Sequence, residues 1–91
     1  MTDIVERFLV IWDEERLNAK YLEERTGIKE KRWYGIRSRK VMRTEELETV
    51  VKIFPEYAYW AMTGKELPEA GQISPMTKRI QASLKTRHGH G

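Results

Sequence analysis

Ninety-one residues, 40% hydrophobic and 34% charged, suit one small domain with a tail and leave no room for the deep cleft of an ordinary enzyme. The absence of Cys excludes a disulfide framework or a thiolate metal site and fits a reducing cytoplasm. Net charge is only +3, yet Lys29, Lys31, Arg32, Arg37, Arg39, Lys40 and Arg43 crowd into residues 29–43 against Glu30 alone, which makes a directed basic surface of the kind that attracts a polyanion.

From the N-terminus, acids and a base interrupt the apolar positions of TDIVERFLVIWDEER, which is not the pattern of a signal peptide. FLVIW, the longest uncharged apolar run, is far short of a membrane span, so the chain reads as a soluble cytoplasmic protein with no membrane partner. Ile4, Val5, Phe8, Leu9, Ile11 and Trp12 recur at three- and four-residue spacing and predict a first amphipathic helix, with Thr2 or Asp3 as its N-cap. Asn18 then caps a short helix, AKYLEERT, that buries Leu22 and part of Tyr21 and stops at Gly27, the residue best able to take the left-handed conformation at a helix end. Ile28 points inward from the turn.

A third helix, from about Glu30 to Ser38, places Trp33 and Ile36 on one face and leaves its cations elsewhere. Thr44, Glu45 and Glu46 start a fourth, which buries Leu47, Val50, Val51 and Phe54; Pro55 sits in the first turn of a fifth, PEYAYWAMT, closed by Gly64. No strand pattern of useful length emerges, although VVKIF is short, β-branched and ambiguous. Residues 1–66 therefore read as one all-α domain and 67–91 as linker and basic tail, KELPEAGQISP being extended and Met76, Ile80 and Leu84 giving weak helical spacing around 76–85.

This order, and in particular LNAKYLEERTGIKEKRWYGIRSRKVMRTEELETVVKIF, resembles the lambda-repressor-like helix-turn-helix family that includes phage Cro and repressor DNA-binding domains. The resemblance covers roughly residues 3–64. Leu17 and Asn18 stand where that pattern has an apolar residue and a polar cap, Gly27 and Ile28 where it has the turn glycine and an inward aliphatic. Trp33 and Ile36 fall on the inward positions of its recognition helix and Leu47 on the anchor of its fourth. Two departures stand out. Ala19 occupies a position where many members carry a Gln that contacts phosphate or base, and Arg37 and Arg39 replace what is often Glu and Gly, making the helix end more basic than usual.

The resemblance implies a compact five-helix domain with a C-terminal extension that lays its third helix in the major groove of double-stranded DNA. On that basis Lys29, Glu30, Lys31, Tyr34 and Gly35 are expected nearest the bases: Lys31 donating to guanine, Glu30 accepting from a cytosine amino group, Tyr34 packing on a thymine methyl. Gly35 costs helix stability, and close approach of the backbone to DNA is a reason to retain it. Asn18, Lys20, Arg32, Arg37, Arg39, Lys40 and Arg43 are expected on phosphates, and four to six such contacts give a slope of log affinity against log salt of about −4 to −5 per protomer.

Tyr57, Tyr59, Trp60 and Met62 offer more aromatic surface than one short helix can bury and are the expected homodimer contact, matching a palindromic operator. Neither Glu23–Glu24 nor Glu45–Glu46 forms a catalytic pair, because adjacent helical side chains diverge, and His88 and His90 on a Gly-rich end do not make a metal site. The chain is accordingly read as a non-enzyme with no cofactor and no small-molecule ligand, and the resemblance implies a dimeric DNA-binding repressor of a phage, prophage or mobile-element promoter. The alternative is a small adaptor or inhibitor whose basic face binds an acidic protein or a ribonucleoprotein.

Overall fold

The free N–H groups at a helix start need acceptors, and at three places the residue just before the helix supplies one from its own side chain. Asp3 Oδ1 accepts from the Glu6 amide at 2.8 Å, Asn18 Oδ1 from Tyr21 at 2.8 Å and Ser74 Oγ from Thr77 at 3.1 Å. In the computed structural model, which describes residues 3–88, these begin α1 (Ile4–Glu14), α2 (Ala19–Thr26) and α6 (Pro75–His88). Between them lie α3 (Glu30–Arg39), α4 (Thr44–Ile53) and α5 (Ala58–Thr63), with 3-10 turns at Pro55–Tyr57 and Pro68–Ala70. Gly27 closes α2 at φ +80° and Gly64 closes α5 at φ +78°, both in the left-handed region that glycine enters without cost from a Cβ.

The fold is all-α, and among the described residues the sole strand-like feature is an isolated bridge between Leu67 and Gln72. Residues 50–53 of the ambiguous VVKIF are helical, in α4. The fifth helix differs from expectation: Pro55 opens a 3-10 turn, and α-helical geometry begins only at Ala58.

A single core joins α1 to α5. Phe8, Ile11, Leu22, Trp33, Ile36, Val50 and Tyr57 are wholly buried, and Trp12, Leu47 and Trp60 nearly so. Phe8 sits at its centre, edge-on to Trp12 with centroids 5.8 Å apart and tilted against Trp33 at 5.7 Å. Each such ring, like each buried Ile or Leu beside it, contributes about 1.5–3 kcal/mol by leaving water. Ala19 is wholly buried too, so a small apolar side chain suits the first position of α2.

One core partner is charged. Arg7 is only 6% exposed; its Nε donates to the Ala61 carbonyl at 2.9 Å and its Nη2 to that of Met62 at 3.2 Å. A guanidinium there satisfies carbonyls that the end of α5 leaves free and meets the negative end of that helix's dipole.

Residues 67–75 are not an extended linker. Ile73 and Pro75 are buried, the Ile73 amide donates to the Glu56 carbonyl at 3.0 Å, and the Gln72 side chain accepts from the Tyr59 amide at 2.9 Å while donating to the Pro55 carbonyl at 3.0 Å. The base of α6 is then held against α1 and the 3-10 turn by Lys78 with Glu56 at 2.7 Å and Arg79 with Glu14 at 3.1 Å. Further out, Ile80 and Leu84 are exposed. His90 and the side chain of His88 lie outside the described residues.

This packing corrects the expected dimer contact in two of its four members. Tyr57 is wholly buried and donates its hydroxyl to Glu15 at 2.5 Å, burial pushing the phenol well above its ordinary pKa. Trp60 is 7% exposed, covered by its own chain. Met62, half exposed, and Tyr59, partly so, keep accessible surface. No described helix is long and apolar enough to cross a membrane.

Candidate nucleic-acid interface

Helix α3 is bolted to the core from one side. Trp33 and Ile36 are wholly buried, and the Trp33 indole Nε1 donates to the Ile28 carbonyl at 3.0 Å, tying the helix to the turn before it. The Glu30 amide donates to Glu23 Oε1 of α2 at 2.6 Å, so a carboxylate already occupies the positive end of the α3 dipole. With 3.6 residues per turn, fixing Trp33 and Ile36 inward turns Lys31, Tyr34, Gly35 and Ser38 outward. Lys31, Tyr34 and Ser38 are exposed, Tyr34 to 54%.

The cations divide into two sets. Lys29, Lys31, Arg39, Lys40 and Arg43 are exposed and carry no ion pair among the described residues; Lys20, on the first turn of α2, is likewise exposed. Arg32 and Arg37, both expected on phosphates, are instead engaged within the fold. Arg32 makes a two-pronged pair with Glu46 of α4, Nε to Oε2 at 2.5 Å and Nη2 to Oε1 at 2.8 Å. Arg37 turns back to α1, its guanidinium 5.2 Å from the Trp12 ring centroid and 3.0 Å from Asp13. Asn18 remains exposed, but its carbonyl oxygen is committed to capping α2. Glu30 is half-buried at the foot of α3.

Gly35 departs from expectation in another way. It is buried, and what lies over it is Arg39: a Cβ built at Gly35 would meet Arg39 Nη2 at 2.5 Å and Cζ at 3.2 Å. The position is occupied by the chain's own guanidinium. Ser38, not singled out from the sequence, joins the outward face four residues beyond Tyr34 and seven beyond Lys31; helical period alone is the signal that finds it.

Glu46 fixes the angle at which α3 is presented. Only 5% exposed, it accepts both Arg32 donors and the Arg43 amide at 2.7 Å, so one carboxylate clamps α3 to the start of α4. The Arg32 bond, chiefly, holds its pKa below the ordinary 4.5. A depressed carboxylate contributes stability that is present above its unfolded pKa and is lost as pH falls through the folded one. Glu46→Gln is therefore expected to cost about 1–2 kcal/mol at pH 7, discounted because Arg32 still touches solvent, and to narrow its gap to the parent as pH drops below about 4. Urea unfolding of both proteins at pH 7 and pH 3 measures this; a gap independent of pH would exclude the clamp.

No protein-family model matches the chain, and no curated protein matches it. The solved structure of Pf6r, from the filamentous phage Pf6 of Pseudomonas aeruginosa PA01, is similar: 32% identical, covering 92% of this chain and 99% of that one, with a TM-score of 0.80.

Proposed function

The chain belongs to the same family as Pf6r, and from that premise we propose that it is a small phage-type regulator that binds a specific double-stranded DNA operator and represses the promoter there. The observation that carries this reading is the build of α3: Trp33 and Ile36 hold one face in the core while Lys31, Tyr34 and Ser38 stand on the opposite one, flanked by exposed cations that make no ion pair among the described residues. A helix so presented fits the major groove, which admits one α-helix. Helices α2 and α3 with the Gly27 turn between them then act as a helix-turn-helix, Lys31 donating to guanine N7 or O6 and Tyr34 packing on a thymine methyl. Lys20, Lys40 and Arg43 grip phosphates and set the register without reading sequence, and Lys29, placed nearest the bases by the sequence reading, joins them because it precedes the first turn of α3 as its N-cap.

Repression follows from bulk: a chain bound across a promoter occludes it, and its own concentration sets occupancy. Two copies on two half-sites make the operator palindromic. With Tyr57 and Trp60 buried, the second copy meets the accessible Tyr59 and Met62 or the outer stripe of α6.

Selection from a random duplex library at near-physiological salt, with Lys31→Ala alongside, tests the whole reading. The expected result is one palindromic motif with half-sites about 10–10.5 base pairs apart, blurred by Lys31→Ala. Uniform weak binding that vanishes as salt rises would overturn it and point to a protein partner for the same basic face.

A further inference from the structure

Gly35 stands in the middle of α3, in ordinary helical backbone, with none of the positive φ that glycine alone takes readily. Helix propensity at such a position favours almost any other residue, so the backbone gives no reason for glycine here. Space gives one. The three nearest atoms that a Cβ would meet all belong to the Arg39 guanidinium, Nη2 at 2.5 Å, Cζ at 3.2 Å and Nη1 at 3.7 Å. Helical side chains lean back toward the N-terminus over the preceding turn, and Arg39, four residues on, does so across the one position where no side chain stands in its way.

Two features mark this as placement of a functional group. The guanidinium lies over Gly35, which the helical period sets on the outward side with Lys31 one turn before it and Ser38 one turn after, whereas Arg32 and Arg37 lean toward α4 and α1. It also has no hydrogen bond or ion pair among the described residues. The bare Gly35 backbone leaves room for it there, and its donors stay free for a ligand. A planar fork of N–H donors laid on the groove-facing side of a helix matches the O6 and N7 acceptors of guanine.

We propose that Gly35 is a slot that lays Arg39 along the outward face of α3 and that Arg39 there reads a guanine, a specificity-determining contact in place of the phosphate role its position at the helix end implies. This rests on the DNA-binding reading above. Arg39→Lys keeps the charge for a phosphate but loses the two-pronged fork, and Gly35→Ala leaves Arg39 intact but fills its slot. The full-length parent and both variants are put through the same duplex selection, with thermal unfolding as a control for folding.

The expected outcome is a guanine in the parent motif whose preference falls by roughly 5- to 150-fold, the range of one two-pronged base contact, at the same position in both variants. Other positions hold, and Gly35→Ala melts no lower than the parent. Unchanged preferences with evenly weakened binding would make Arg39 a phosphate contact and overturn the proposal. Blurring by Gly35→Ala alone would place the backbone, not Arg39, against the base and overturn it equally. A parent that enriches no motif fails the DNA-binding reading itself, and the proposal with it; a parent motif without guanine sensitivity fails the proposal alone.

Discussion

Trp33→Ala is expected to lose about 3–5 kcal/mol of folding stability, the range for truncating a fully buried large aromatic, measured as the shift of the urea unfolding midpoint at pH 7. Trp33 is wholly buried, packs on Phe8 with centroids 5.7 Å apart and donates from Nε1 to the Ile28 carbonyl. Truncation removes the ring contact, opens a cavity between α1 and α3, and leaves that carbonyl without its donor. A domain's whole stability is about 5–15 kcal/mol, so most of the margin goes. Trp33→Phe separates the contributions: it keeps a ring against Phe8 and forfeits chiefly the hydrogen bond, for a smaller loss of about 1–2 kcal/mol. The function-level consequence is that α3 loses the attachment that sets its outward face, so the proposed DNA binding is expected to fall with stability in Trp33→Ala and largely to survive in Trp33→Phe. A loss below about 1 kcal/mol in Trp33→Ala would mean that the indole is not the bolt.

What the sequence makes legible here is what acts within a few residues. The Asn18 cap, the Gly27 stop, and the inward spacing of Trp33 and Ile36 all work over four residues or fewer, and each stands where local pattern places it. Contacts that span the chain left no such trace. Arg32 and Glu46 are fourteen residues apart, and Tyr57 meets Glu15 across forty-two, so two cations counted toward phosphate and two aromatics counted toward a partner are spent inside the fold. Arg7 belongs with them: nothing around it marks it as the group that caps a helix fifty-four residues later. The start of α6 is a different case, since Ser74 before Pro75 is an ordinary N-cap followed by the residue favoured in the first turn. The signal was there, and the loop-like composition of KELPEAGQISP hid it.

That redistribution of charge puts the salt slope at the shallow end of the about −4 to −5 per protomer that the sequence implies. Counting every cation of residues 29–43 as a phosphate contact gives seven and a slope of about −6 per protomer. Arg32 is paired with the nearly buried Glu46 and Arg37 is drawn back to Asp13 and Trp12, and on the proposed reading Lys31 and Arg39 are assigned to bases, which leaves Lys20, Lys29, Lys40 and Arg43 to displace counterions. Four contacts give about −4 per protomer and −7 for a dimer, so raising salt from 50 to 200 mM is expected to weaken binding about 10⁴-fold. Two variants separate the counts when operator affinity is measured across that range. Arg43→Gln removes a contact and lowers the slope by about 1 per protomer. Arg32→Gln removes a charge that releases no counterion, so the slope holds even though the Glu46 clamp, and with it stability, is weakened. Equal changes in slope from the two would show that Arg32 leaves Glu46 for a phosphate on binding. Unequal ones mean that the fold has already divided its arginines between holding α3 in place and carrying it to the DNA.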